Sequence, residues 1–269
     1  MNKGSFQINP YKTITIISDD KLPSLEQVKQ IYQNEKIYPL LPSTDLETKV
    51  ITGLLLAYKQ IAKKHLQLDL PEYSDNVFVV DIKSIEQKSG EANRGQYCNL
   101  AAYVSRQENI GDFANIASHE MAHLFATSNV LWQVIKHQAV VYSVNDGLTD
   151  QFGSYHGLNE AVTEMLSHYA TDYALANNLI NLNVEAASNI RFLSHAQGVH
   201  LLDGLLDRHA QGNSEKRERY VNDLFVAYLQ GDIQRARQSL NLSSAEDEII
   251  KNMKPAKRDF ASAMELLLG

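Results

Sequence analysis

Residues 112–129 read DFANIASHEMAHLFATSN, and the rest of the chain is best understood from this stretch. It places His119, Glu120 and His123 in the order H-E-x-x-H. Residues four apart on an α-helix share a face, so both imidazoles can bind one metal ion. The glutamate beside the first histidine can then accept a proton from a water molecule at the metal. The spacing therefore predicts a helix that carries a metal site.

The apolar residues of this stretch support the helical interpretation. At about 100° per residue they gather on one side of the helix, while the two histidines and the glutamate gather on the adjoining side. Asp112, after Gly111, is the predicted N-cap, and Ser128 and Asn129 are the predicted end. With nine histidines in 269 residues, a chance H-E-x-x-H is expected in roughly two of a hundred such chains. A third ligand is therefore needed.

A second helix is predicted to supply this third ligand. Residues 157–173 read GLNEAVTEMLSHYATDY, with apolar side chains on one face and Glu160 and Glu164 on the other. Taken alone, two carboxylates near a helix N-terminus indicate a solvated acidic face that the helix dipole favours. Beside His119 and His123, however, Glu160 completes the two imidazoles and one carboxylate typical of catalytic zinc sites. We therefore expect Zn²⁺ bound by His119, His123 and Glu160.

Composition limits the class of protein and the kind of ligand. A chain of 269 residues with 44% hydrophobic content can form one large domain or two closely packed subdomains. The net charge is −7 and no Lys/Arg cluster is present, which argues against nucleic acid as a partner. The single cysteine, Cys98, excludes a cysteine-rich zinc site and leaves histidine and carboxylate as ligands.

Location is weakly determined by the sequence. Residues 1–18 lack the apolar core and the cleavage site of a secretory signal, and no apolar run reaches the ~18 residues that span a bilayer. We expect a cytoplasmic protein with no membrane partner, and export by a route without a cleaved signal is the alternative. The oligomeric state is left open.

The other local patterns predict a protein of the α+β class. Strands are predicted at residues 13–18 and 77–85, and a half-buried strand with one apolar face at residues 97–104. Residues 130–156 show no clear period. Further helices are predicted from Ser24 onward and over residues 45–65, 190–209, 216–230, 232–240 and 260–268. We expect an N-terminal α/β subdomain, residues 1–127, with a small sheet, and a mainly helical C-terminal subdomain, residues 128–269.

The two motifs together resemble a known family. HEMAH at residues 119–123, followed by NEAVTE at residues 159–164, is similar to the glutamate zincins (gluzincins), the thermolysin-like zinc peptidases. The resemblance implies that Glu160 is the third ligand and that Glu164 hydrogen-bonds a ligand histidine. It also implies a zincin-like fold, with the two subdomains flanking a metal cleft. The interval between the motifs is longer than in thermolysin itself, which leaves the shape of the cleft open.

We therefore expect a zinc metallopeptidase that hydrolyses a peptide or protein substrate, with Glu120 as the general base. One alternative is a non-catalytic or narrowly specific metal-binding effector protein, and another is a zinc hydrolase of a non-peptide bond. The group that stabilises the oxyanion is not obvious. Our candidate is Tyr155, five residues before Glu160; the alternative is that Tyr155 packs the loop against the helix. In that case the remaining candidates are His195, His200, His209 and Tyr220.

Overall fold

The chain folds as an α+β protein in the computed structural model, which describes residues 2–18, 21–28, 38–72, 76–81, 83, 95–98, 101–135, 138–150, 152–182 and 196–269. The strands in these ranges are β1 (Asn2–Asn9), β2 (Lys12–Ser18), β3 (Val77–Val80), β4 (Gly95–Cys98), β5 (Ala101–Ser105), β6 (Ser128–Ile135) and β7 (Gln138–Asp146). The longer helices are α1 (Asp45–Ile61), α2 (Ile110–Phe125), α3 (His156–Ala176), α4 (Ala196–Ala210), α5 (Ser214–Gln230), α6 (Ile233–Leu240), α7 (Ser244–Asn252) and α8 (Lys257–Leu268).

The strands form two sheets. The first has the order β1-β2-β6-β7, in which β2 and β6 are parallel and the other pairs are antiparallel. The second has the order β3-β5-β4. In the first sheet Lys12 lies opposite Ser128, and Ser128 lies opposite Asp146. Because side chains of directly opposed residues point to the same face, these three side chains share one face of the sheet.

Helix α2 contains the H-E-x-x-H residues but begins earlier than the sequence indicated. The side-chain oxygen of Asn109 accepts hydrogen bonds from the N–H groups of Gly111 (2.7 Å) and Asp112 (3.4 Å), so Asn109 is the N-cap. Asp112, the predicted cap, lies in the first turn instead, where its charge complements the helix dipole. The helix ends at Phe125, and Ser128, predicted to close it, begins β6.

The region without a clear period contains a β-hairpin. Strands β6 and β7 pair from Ser128 opposite Asp146 to Ile135 opposite Gln138. Their register shifts between Asn129 and Val130, and such a bulge interrupts the alternation that identifies a strand in sequence. The hairpin joins the sheet of the N-terminal strands, so residues after 127 contribute to a sheet as well as to helices. The division of the chain at residue 127 stays a prediction.

Strand β5 is more buried than the sequence indicated. We predicted one half-buried strand over residues 97–104, but β4 and β5 are separate antiparallel strands, and β5 is buried throughout. One face of β5 contributes to the main core, while Ala101 and Tyr103 pack with Tyr38 and Val80 in a second cluster. As the central strand of its sheet, β5 is therefore covered on both faces.

Helix α3 lies at the centre of the helical part. It packs against α1, α2, α4, α5 and α7, and its buried residues belong to the main core. The predicted helices at residues 216–230 and 232–240 are confirmed. Helix α7 was missed, although Ser243 and Glu246 form a capping box at its start. Within the described part of the chain, no helix has both the length and the apolar character needed to cross a membrane.

Candidate metal centre

Three predicted ligands come together where α2 packs against α3. His119 Nε2 lies 3.4 Å from Glu160 Oε2, and His123 Nε2 lies 3.5 Å from the same oxygen. The ligand atoms of all three residues lie within 4.8 Å of one another. Around a tetrahedral ion with bonds of about 2.0–2.1 Å, ligand atoms are about 3.3–3.4 Å apart. The three side chains therefore fit a single small metal ion.

The electrostatics of the cluster favour a bound cation. Burial lowers the pKa of His119, but hydrogen bonds to Glu160 and Glu164 outweigh it and raise this pKa well above its usual value. Burial also lowers the pKa of His123, but Glu160 and Asp146 outweigh it and raise this pKa to about 10. Conversely, burial raises the pKa of Glu160, but His123 and His119 outweigh it and hold this pKa well below its usual value. The carboxylates of Glu160, Glu164 and Asp146 therefore favour a positive charge at the site, either as protons on the histidines or as a metal ion.

The outer nitrogen of His119 binds a carboxylate. Its Nδ1 lies 2.6 Å from Glu164 Oε2, and Glu164 is buried in α3 one turn after Glu160. With a proton between Nδ1 and the carboxylate, the lone pair of Nε2 can bind a metal ion. Glu164 also lies 3.3 Å from His168 Nε2 through its second oxygen. The structure thus brings Glu164 to one of the two ligand histidines, and the resemblance implies such a contact without saying to which of them.

The outer nitrogen of His123 has two neighbours that the sequence analysis missed. Asp146 Oδ2 lies 3.5 Å from His123 Nδ1, and the hydroxyl of Tyr228 lies 3.4 Å from it. Asp146 is the last residue of β7, and Tyr228 is fully buried in α5, 2.9 Å from Thr163 Oγ1. No local motif identifies either residue, because only strand pairing and helix packing bring them to the site.

Glu160 Oε1, the carboxylate oxygen that does not face the two ligand histidines, has two neighbours of its own. Asn159 Nδ2 donates to Glu160 Oε1 at 3.4 Å, and His156 Nε2 lies 3.7 Å from the same oxygen. The side chain of His156 is 51% exposed, so it marks a solvent-facing edge of the site. These contacts leave Oε2 directed at the two histidines.

A buried lysine lies behind the metal helix. Lys12 is fully buried, and its Nζ donates to the carbonyl oxygens of Ala126 (2.5 Å) and His123 (3.4 Å). These carbonyls lie at the C-terminal end of α2, where helix carbonyls lack partners within the helix. Burial lowers the pKa of Lys12 to about 7, and the attraction of Asp146 acts in the opposite direction.

Glu120, the predicted base, is buried in α2 between the two ligand histidines in sequence. Its charge contributes to the raised pKa of His119. Its carboxylate is therefore close enough to the cluster to interact with charge there.

Tyr155 is engaged elsewhere. Its hydroxyl donates to Asp247 of α7, with distances of 3.1 and 3.2 Å to the two carboxylate oxygens. Its N–H donates to the carbonyl of Lys251 (2.8 Å), and its backbone is left-handed at φ 61°. These contacts favour the alternative in which Tyr155 packs the loop before α3 against a neighbouring helix.

The other candidates for stabilising the oxyanion are His195, His200, His209 and Tyr220. His209 stacks on Tyr220 with ring centroids 3.9 Å apart, and its Nδ1 donates to the carbonyl of Ser239. His200 is exposed on α4. His195 lies outside the described residues.

Comparisons of the chain with models of protein families, with curated proteins and with solved structures give no match. The resemblance to gluzincins therefore rests on the two motifs alone, and what it implies about activity is a proposal.

Proposed function

We propose that the chain is a zinc-dependent peptidase of the gluzincin type, with a zincin-like fold. The observation that supports it most is the convergence of His119 Nε2 and His123 Nε2 on Glu160 Oε2, at 3.4 and 3.5 Å. Two imidazoles and one carboxylate are the ligands of known zinc peptidases, whose sites keep one position for water or substrate. The order of strand β5, helix α2 and the later helix α3 is compatible with this fold.

The ligand residues and their partners have distinct tasks in this proposal. Glu164 keeps the proton of His119 on Nδ1, so that Nε2 is a lone-pair donor. Asn159 and His156 hold Glu160 Oε1, so that Oε2 faces the histidines. Preorganised ligands of this kind lose little freedom when an ion binds, which strengthens binding.

Zinc, when bound, polarises the scissile carbonyl and makes water acidic enough to attack near neutral pH. Glu120 accepts the proton of the attacking water and passes it to the leaving amine. Because Glu120 is buried, few other water molecules compete for this proton. A peptide or protein is the proposed substrate class.

The experiment is cleavage of an unbiased peptide library by zinc-loaded protein, followed by mass spectrometry. We expect cleavage by the wild type and a loss of several orders of magnitude in Glu120→Gln, which keeps the shape but cannot accept the proton. Glu108→Gln is the control, because it makes the same change at an exposed position just before α2. Wild-type protein that binds zinc and cleaves nothing would support the non-catalytic alternative.

A further inference from the structure

The second ligand histidine is held from the side of the β-sheet as well as by its own helix. Asp146 Oδ2 lies 3.5 Å from His123 Nδ1, the nitrogen that faces away from Glu160. A carboxylate in this position keeps the ring oriented and the proton on Nδ1. Tyr228 lies at a similar distance, but it is neutral and contributes no charge. Asp146 is therefore the charged partner of His123, as Glu164 is of His119.

One oxygen of the Asp146 carboxylate, Oδ1, is not held by a hydrogen bond within the described residues. Within the described part of the chain, Asp146 Oδ1 is buried and has no hydrogen-bond partner, and the same holds for Ser128 Oγ opposite it. A carboxylate with one buried oxygen that lacks a hydrogen bond is stabilised by a nearby positive group. Lys12 supplies it in its protonated form, because its side chain lies on the same face of the sheet and the attraction of Asp146 favours its charge.

Lys12 also connects the sheet to the metal helix. Its Nζ donates to the carbonyl oxygens of His123 and Ala126, at the end of α2. The same side chain thus contacts the backbone of a ligand residue and attracts the carboxylate that binds the ring of that residue. Strands β2 and β7 are separated by β6, so this arrangement depends on the order of strands in the sheet.

We propose that Lys12 and Asp146 are a pair of positioning residues for the metal ligand His123: Asp146 orients its imidazole through Nδ1, and Lys12 holds Asp146 in place. The proposal rests on the metal site of the proposed function. It adds a second charged partner from a different part of the fold, since Glu164 comes from α3 and this pair comes from the sheet.

The experiment is a double-mutant cycle on zinc affinity, measured by competition with a coloured chelator and corrected for the folded fraction by circular dichroism. Asp146→Asn should lower the affinity by roughly 10–100-fold, as loss of such a partner does in known zinc sites. In the wild-type background, Lys12→Met should lower the zinc affinity by roughly 10-fold. In the Asp146→Asn background it should lower the affinity by no more than about 2-fold, because Lys12 acts through the Asp146 carboxylate. A purely structural role for Lys12 predicts the same loss in both backgrounds, and that result would overturn the proposal.

Ile14→Val is the matched control, because Ile14 is fully buried on the same face of β2 as Lys12 and packs in an apolar cluster with Ile16, Val28 and Val130. It should lower stability and leave zinc affinity unchanged. If Asp146→Asn does not fold, a long-range ¹H–¹⁵N spectrum of zinc-loaded wild type still decides. We expect the Nδ1 proton of His123 to resonate downfield, as a proton hydrogen-bonded to a carboxylate does, and to shift in Lys12→Met; an Nδ1 proton that is unshifted in Lys12→Met would overturn the proposal.

Zinc affinities of the wild type and of Asp146→Asn distinguish failure of the positioning pair from failure of the proposed peptidase. A wild type that binds zinc tightly while Asp146→Asn binds it equally well overturns the positioning pair and leaves the peptidase proposal intact. A wild type that binds no zinc overturns both.

Discussion

Each ligand atom of the cluster is directed by a contact on the opposite side of its side chain. His119 Nε2 faces Glu160 because its Nδ1 is bonded to Glu164, and Glu160 Oε2 faces the histidines because Oε1 is held by Asn159 and His156. Such contacts restrict rotation of the rings and of the carboxylate. At the scale of single residues, the affinity for metal should therefore depend on groups that never touch it.

Glu164→Gln tests this dependence at His119. The amide loses the negative charge that favours the proton on Nδ1, so we expect zinc affinity to fall by roughly 10–100-fold. Asp172→Asn makes the equivalent change at an exposed position of the same helix and should leave the affinity unchanged. Equal affinities in wild type and Glu164→Gln would remove Glu164 from the account.

Tyr155→Phe separates two roles for this residue. The hydroxyl donates to Asp247, so its removal should lower the free energy of unfolding by about 1–3 kcal/mol and leave kcat within a few-fold. Urea unfolding and peptide hydrolysis measure the two effects. A hundredfold loss of kcat with unchanged stability would instead support the oxyanion role predicted from the sequence.

The start of α3 is hydrogen-bonded to α7 and to the residue after it, and Glu160 lies in the second turn of α3. Besides the contacts of Tyr155, the N–H of Gly157 donates to the carbonyl of Met253 at 2.9 Å. A Cβ atom at Gly157 would lie 2.7 Å from that carbonyl oxygen, closer than two such atoms can approach. At the scale of elements, the C-terminal helices thus support the helix that carries the third ligand.

Gly157→Ala tests this support. The added methyl group must push the Met253 backbone away, so we expect a loss of about 1–3 kcal/mol in stability together with weaker zinc binding. Gly204→Ala is the control, because there the three atoms nearest to the added Cβ belong to the Leu268 side chain, which is 40% exposed and can rotate away. Equal effects of the two substitutions would contradict the proposed support.

The two site helices were predictable from sequence, while the sheet contacts around them were not. Helices α2 and α3 are both indicated by the spacing of apolar residues in the sequence. The i, i+4 spacing of His119 and His123 places both histidines on one face of α2. Lys12 and Asp146 meet this site only through the order β2-β6-β7, which no local pattern encodes. Tyr155 is close to Glu160 in sequence, but its left-handed backbone turns the chain toward α7. Proximity in sequence was therefore a poor guide to the direction of its hydroxyl.

For the molecule as a whole, metal binding and pH should be linked. Without metal, the raised pKa of His123, about 10 against a usual 6.5, stabilises the fold fully below pH 6.5 and is lost as the pH rises to about 10. Zinc must displace this proton, so its affinity should increase with pH over the same window. Lys12 has a shift of the opposite sign: its pKa is about 7 against a usual 10.5, so its charge destabilises the fold below pH 7, and this cost disappears toward pH 10.5.

Because His123 and Lys12 change the stability of the metal-free fold in opposite directions, the increase in Tm on adding zinc is measured at each pH instead of Tm alone. We expect this increase to grow from pH 6.5 to pH 9, and calorimetry in buffers of different ionisation enthalpy should detect protons released on zinc binding. A zinc-induced increase in Tm that is independent of pH would contradict the protonated state of the metal-free site.

The most direct test of the central claim is the zinc content of the purified chain, measured by inductively coupled plasma mass spectrometry beside that of Glu160→Gln. We expect about one zinc per chain in the wild type, because His119, His123 and Glu160 can form one three-ligand site. We expect little zinc in Glu160→Gln, since an amide is a far weaker zinc ligand than a carboxylate. Folding of the variant is checked by circular dichroism. Full zinc occupancy in a folded Glu160→Gln variant, or none in the wild type, would contradict a zinc site built on Glu160.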